Sequence, residues 1–294
     1  MSIKVICDAG SNLYPEVLKR KKADIIVLPM SVTLGEKTFH CYADDIDVES
    51  FSKDFYAALK KNKKNVRTSL VSPGDFLAAF KKEAEEGNQV ICFTMAKGIS
   101  GTYNSAILAA SEVNGGEKGE VVRVIDSATA GFGEGLQALA AAENIKAGIP
   151  FLEVCRAAEE LVGKVRSEFT VDDITYLVST GRISQGLARI ANLLHIKVML
   201  KGGKDSKIEL VGKVHGRKMA LRSLAKTLLA KIKDPANQTV YITHCDAQEE
   251  SLALQKELAA GGVSNIEVYP YDLVTGAHVG PGCIAVFYLG ENRD

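Results

Sequence analysis

What this sequence lacks narrows its function before any motif is read. It has no net charge: 36 Lys and Arg stand against 36 Asp and Glu, so no global field draws in nucleic acid or an anionic membrane. No apolar run approaches the roughly 20 residues needed to cross a bilayer, so no membrane span is expected. The opening MSIKVICDAG has no charged segment followed by an apolar stretch and a cleavage site, which reads as a cytoplasmic protein. Its six cysteines, Cys7, Cys41, Cys92, Cys155, Cys245 and Cys283, form no CxxC and have no histidine at metal-ligand spacing; His244 and Cys245 are adjacent and cannot easily share one ion. No metal and no other cofactor is expected. Cysteines in runs such as VICFTM and GCIAVF read instead as small buried hydrophobes. A GxxxxGK[ST] phosphate loop is absent, as is any internal repeat or low-complexity tract.

What is present is a regular alternation. The 294 residues give about two domains. Ile3 to Asp8, Ile25 to Leu34, Gln89 to Met95 and Val121 to Asp126 read as strands separated by amphipathic or Ala-rich helices, the pattern of a largely parallel sheet with helical crossovers. Ser72-Pro73-Gly74-Asp75 supplies a cap, a first-turn proline and a carboxylate for one helix. Asp45 or Asp47 opens another, whose far end carries Lys60, Lys61, Lys63 and Lys64 against the helix dipole. Near Gly148-Ile149-Pro150 the pattern changes. After a helix PFLEVCRAAEELVGKV come SEFTV, helices DDITYLVSTG and QGLARIANLL, and a hairpin of IKVMLKGG with KIELVGKV. The rest alternates again, ending in NIEVYPY and CIAVFYLG. The expected fold is therefore α/β in two domains: residues 1–160 as a three-layer α/β domain with a mainly parallel sheet, and residues 161–294 as a two-layer α/β domain with a mixed sheet.

In open α/β sheets the residues just past each strand face the ligand. Here they are Asp8 to Ser11, Ser100 with Thr102, and Asp126 to Thr129, joined by Thr68 and Ser69. The set is rich in hydroxyls and poor in charge, which suits neutral hydrogen bonding to a polar head group. Any of them can equally be a helix cap. Lys97-Gly98-Ile99-Ser100-Gly101-Thr102-Tyr103 approaches the nucleophile elbow GxSxG but has Thr102 where the second glycine belongs. A serine-dependent esterase using Ser100 with His278 as base remains an alternative. Gly131-Phe132-Gly133-Glu134-Gly135 invites a nucleotide or phosphosugar reading, yet its spacing is not GxGxxG and Glu134 would face the phosphates, so a close-packed helix start fits better. Gly181 fits a helix C-cap, and Arg182 after it needs an anion or an acidic side chain. Thr275 to Cys283, TGAHVGPGC, places His278 among glycines: either a tight loop or a backbone arranged around the imidazole.

Taken in order, six segments resemble the DegV family of bacterial fatty-acid-binding proteins: CDAGSNL at 7–13, TSLVSPGDF at 68–76, GISGTYNSA at 98–106, VIDSATAGFGEGL at 124–136, DDITYLVSTGRIS at 172–184 and GAHVGPGCIAVF at 276–287. The resemblance implies two α/β domains enclosing one long-chain fatty acid between them. It also implies a carrier that is not itself an enzyme and that presents the carboxyl group to a separate fatty acid kinase related to dihydroxyacetone kinases. Carried over by motif, Thr68, Ser100 and His278 hold the carboxylate. Arg182, Ser69, Thr102, Gly280 and Gly282 lie near the head group or face the partner. Two departures stand out: Cys7-Asp8-Ala9-Gly10-Ser11 where Thr-Asp-Ser-Ser-Ser is usual, and Ala96-Lys97 where a serine pair is usual.

The chemistry is consistent with that ligand. A buried carboxylate must be hydrogen-bonded, and two hydroxyls and an imidazole supply three donors. A chain of about 16 carbons offers on the order of 12 kcal/mol at about 0.8 kcal/mol per methylene, against ~1 kcal/mol for a net hydrogen bond, so the head-group residues orient more than they retain. The glycines around His278 are expected to let the acyl head come close. Tail-lining residues are not separable from core by sequence; the apolar positions around 187–200 and 219–229 are candidates.

Overall fold

The computed structural model describes residues 2–42, 48–62, 65–115, 119–184 and 195–293. The expected helix QGLARIANLL (185–194), the helix openers Asp45 and Asp47, and Lys63 and Lys64 lie outside the described residues.

Four parallel strands form the first sheet in the order β2 (Ile25–Leu28), β1 (Ile3–Asp8), β6 (Gln89–Thr94) and β7 (Val122–Asp126). Helices α3 (Pro73–Glu85) and α4 (Thr102–Asn114) pack together on it, as do α5 (Phe132–Lys146) and α6 (Phe151–Val162). The cap expected at Ser72 is formed: its Oγ accepts from the Asp75 amide at 3.2 Å and donates to the Asp75 carboxylate at 2.6 Å. The second large sheet has six strands in the order β10 (Ile208–His215), β9 (Ile196–Gly202), β8 (Val165–Thr170), β13 (Ile284–Leu289), β11 (Thr239–His244) and β12 (Asn265–Pro270). Only the β11–β12 pair is parallel, so the sheet is mixed. The architecture is α/β with an N-terminal parallel sheet and a C-terminal mixed sheet, and β9 and β10 are the hairpin read from the sequence.

The run CIAVFYLG is continuously apolar because both faces of β13 are covered. Ile284, Val286 and Tyr288 join Leu224, Leu228 and Leu254 in one core, under α8 (Arg217–Lys231) and α9 (Gln248–Ala260). Ala285 and Phe287 point the other way, into the core shared with the first sheet. Helix α5 bridges to that face: its Phe132 ring stacks on Tyr241 of β11, with centroids 4.4 Å apart and planes at 6°.

One expectation was too simple. Ile25 to Leu34 is not one strand but two, β2 and β3 (Met30–Leu34), separated by Pro29 and belonging to different sheets. β3 pairs antiparallel with β4 (Lys37–Cys41) and with β5 (Val66–Thr68), making a third, three-stranded sheet. Proline has no amide to give a ladder, so the chain leaves the parallel sheet there. The helix expected over 172–181 is also shorter, α7 (Thr175–Ser179). The stretch around His278, read as a loop, is largely helix α10 (Leu273–Val279), capped by Asp272, whose Oδ1 accepts from the Thr275 amide at 2.7 Å.

Candidate functional site

Three elements far apart in sequence bring the expected head-group residues to one cleft. Thr68 ends β5, Ser100 lies in the turn before α4, and His278 sits in the last turn of α10. All three line a cleft of about 620 Å³, part of it open to solvent, with Ser69 and Arg182. Thr68 Oγ1 and His278 Nε2 are 3.0 Å apart. Ser100 Oγ lies 2.9 Å from Thr102 Oγ1 and accepts from the Thr102 amide at 3.2 Å. Ser69 Oγ accepts from the Ser31 amide at 2.8 Å, tying the rim to β3. Thr102 stands behind Ser100, fully buried, and does not itself line the cleft.

Electrostatics keep the imidazole neutral. Burial, and secondarily the Arg182 charge, push the His278 pKa down to about 3. A neutral ring bonded to a hydroxyl through Nε2 can donate from only one nitrogen, so the tautomer follows its partner. Nδ1 is buried and has no hydrogen-bond partner among the described residues. An esterase would need the imidazole on Ser100 and an acid on its other nitrogen. Here Nε2 is bonded to Thr68, and Nδ1 meets no acid among the described residues, which do not assemble a hydrolytic triad. Arg182 is half-buried; its guanidinium donates to the Ile99 carbonyl at 3.3 Å and to that of Thr180. Burial holds its pKa below the ordinary arginine value.

The glycines do something other than admit a ligand. Gly280, Pro281, Gly282 and Cys283 form a turn closed by the Cys283 amide on the Gly280 carbonyl at 3.3 Å, with φ +80° at Gly282, the geometry of a type II turn. A Cβ at Gly276 would lie 2.1 Å from Tyr56 Oη, one at Gly280 2.4 Å from the Tyr176 ring, and one at Gly282 2.6 Å from Asp172 Cβ. These glycines seat the His278 helix against protein, not against the cleft. Gly131, Gly133 and Gly135 are likewise filled, facing Tyr271, Thr129 and the Ser11 carbonyl at 2.7, 2.3 and 2.4 Å. The glycine-rich stretch is a close-packed helix start with no room for phosphate.

Among the other strand-end residues, Asp8 is structural: its two carboxylate oxygens accept from the Gly10 and Met95 amides at 2.8 and 3.0 Å. Ser11 and Ser127 cap the turns that follow them. The unusual Cys7 donates to Ser11 Oγ at 3.3 Å. Gly10, where a serine is usual, leaves room for Met95, whose Cε would be 2.7 Å from a Cβ there, and Met95 lines the cleft. Lys97 does not reach the head group: its ammonium lies 3.7 Å from Asp126 and over the Tyr103 ring at 5.7 Å.

Sequence reasoning missed the apolar wall. A second chamber of about 440 Å³, part of it open to solvent, adjoins the first at Ile99, Ile208, Thr275 and Val279, which line both. Its far end is set by Phe169, Tyr271 and Phe287. None of residues 219–229 lines either chamber. The one legible signal was on α10, where Thr275, His278 and Val279 share the helical face three and four residues apart.

The DegV family's sequence model, described as that of an uncharacterised protein, matches residues 2–291. The chain belongs to the DegV family. A DegV domain-containing protein of Clostridium perfringens is 32% identical over 291 residues, covering 99% of this chain and 98% of the relative. Among solved structures, a fatty-acid-binding DegV family protein from Thermus thermophilus superposes with a TM-score of 0.85 at 25% identity, covering 99% of this chain and 100% of its own. DegV from Bacillus subtilis, a fatty acid binding protein, gives 0.82 at 27% identity with the same coverage. No helix among the described residues of this DegV chain is long and apolar enough to cross a membrane.

Proposed function

We propose that this DegV protein binds one long-chain fatty acid between two domains, residues 1–160 and 161–294, and presents its carboxylate to a separate fatty acid kinase. The observation that carries the reading is the convergence of Thr68, Ser100 and His278 in one cleft whose other lining is mainly apolar. The fatty-acid-binding relatives from Thermus and Bacillus support the same ligand class. Thr68 and Ser100 donate hydroxyl hydrogens to the carboxylate, and His278 donates a third as its Nε2–H turns from Thr68 to the incoming anion. Arg182 contributes positive charge at the rim without closing a bidentate clamp. That arrangement orients an anion while leaving it nucleophilic toward phosphate. The protein is the carrier and supplies no base of its own. Gly280 and Gly282 act behind the site, through the turn that positions α10.

The test is direct. The purified protein is denatured, extracted with organic solvent, and the extract analysed by mass spectrometry. One fatty acid per chain is the expected result. A bound nucleotide, or stoichiometric labelling of Ser100 by a fluorophosphonate, would overturn it.

A further inference from the structure

The second chamber is bordered by a turn that reaches across from the other sheet. Gly203 to Lys207 link β9 to β10, and the turn docks on the loop after β6 and the end of β7. Ser206 Oγ donates to Asp126 Oδ2 at 2.7 Å. Its main chain comes so near Gly98 that a Cβ there would lie 2.2 Å from the Ser206 carbonyl oxygen. Asp126 is held in turn by the Lys97 and Ala128 amides at 3.1 and 3.0 Å. Arg293 spans the same seam, donating to the Ala128 carbonyl at 2.7 Å and to that of Gly203 at 3.5 Å. Ser206 is buried with φ +60°, a conformation a serine keeps only when its surroundings impose it.

This clasp forms one wall of the chamber. Gly202, Ser206, Lys207 and Ile208 line it together with the small residues Ala96, Ala128 and Ala130. The chamber shares no head-group residue with the first, so it lies on the tail side of the Ile99–Val279 junction. We propose that the Ser206–Asp126 clasp, seated on Gly98, sets the longest acyl chain the protein accepts; the inference rests on the fatty-acid reading of the cleft. While the clasp is closed, the aromatic end wall and the turn leave a fixed length beyond the junction. Each methylene that fits gains burial, and the first that does not must lift the turn and break its hydrogen bond. The small residues that line the chamber with the turn then determine how much of that length is usable.

Binding across saturated fatty acids of about 12 to 20 carbons tests this, with the full-length wild type, Ser206→Ala, Gly98→Ala and Ala130→Leu. In the wild type, affinity is expected to rise about fourfold per methylene up to a limit and then stop rising. Ser206→Ala and Gly98→Ala move that limit to longer chains, and Ala130→Leu moves it to shorter ones. Ser206→Ala removes a single hydroxyl, so it remains informative if Ala130→Leu fails to fold. An unchanged limit in Ser206→Ala and Gly98→Ala, with binding intact, overturns the clasp and leaves the carrier reading standing. Absence of fatty acid binding in the wild type overturns the carrier reading and the clasp with it.

Discussion

At the residue scale, the division between orienting and retaining groups makes an unusual demand on His278. Its ring touches Thr68, not a carboxylate of the protein, and burial keeps it uncharged, so it offers direction with little Coulombic hold. His278→Ala is therefore expected to co-purify with fatty acid at near wild-type stoichiometry while losing kinase-dependent acyl phosphate formation. Complete loss of lipid from a folded variant would contradict the assignment. A second residue prediction concerns Asp272, the cap of the same helix. Burial raises its pKa to about 8, only partly offset by the Thr275 amide. A carboxyl whose folded pKa is raised binds its proton more tightly when folded, so its contribution is present below about pH 4 and is lost as pH rises toward 8. Asp272→Asn retains an oxygen for the Thr275 amide and removes the titration. Its unfolding free energy should vary less than that of the wild type between pH 4 and 8, by on the order of a few kcal/mol across the window. Parallel pH profiles for the two proteins, measured by denaturant titration, would refute this assignment.

At the element scale, helix α10 shows what the sequence carried and what it hid. The motif HVGPG identified the histidine and the turn, but glycine at 276 lowers helix propensity, so the stretch reads as loop although Asp272 is a competent cap. The tertiary reason for that glycine is the Tyr56 ring of α2 (Val48–Lys61), invisible until the two elements are in contact. Gly276→Ala should destabilise the protein by about 1–3 kcal/mol through overpacking. Tyr56→Phe, which removes the atom nearest the new methyl, should recover part of the loss; a thermal melt of the double variant no better than that of Gly276→Ala alone would show that the strain lies elsewhere. The split of Ile25 to Leu34 was legible in Pro29 itself, but the three-stranded sheet was not, because β5 is only three residues long and joins the β3–β4 hairpin from beyond the helix Val48–Lys61. That sheet is what delivers Thr68. Hydroxyl-rich strand ends pointed to a polar head group, whereas the apolar walls, drawn from Met30, Phe169, Ile208 and Val279, have no signature that distinguishes lining from packing.

At the scale of the whole molecule, the zero net charge and the shared core fit a protein whose ligand is part of its interior. The main core runs from Val5 and Phe93 of the first sheet to Phe169 and Phe287 of the second without interruption, and the two chambers are cut into that continuous surface. An acyl chain placed there adds apolar contacts to both sheets at once, so it stabilises the folded state by mass action. At a free ligand concentration 100 times the dissociation constant the gain is about 2.7 kcal/mol. For a chain of this size, at an unfolding entropy of about 2.1 cal/mol/K per residue, that corresponds to a rise in Tm of roughly 4–5 °C. Delipidated protein should melt lower by about that amount and recover on addition of a fatty acid of accepted length, whereas a short acid at the same free concentration, with fewer methylenes to bury, should bind more weakly and recover less. Equal recovery by a short acid at the same free concentration would place the binding energy in the first cleft, with Thr68, Ser100, His278 and neighbours such as Met30 and Met95, not in the second chamber. Failure of both acids to change Tm would mean that neither binds the folded protein, and would overturn the fatty-acid reading.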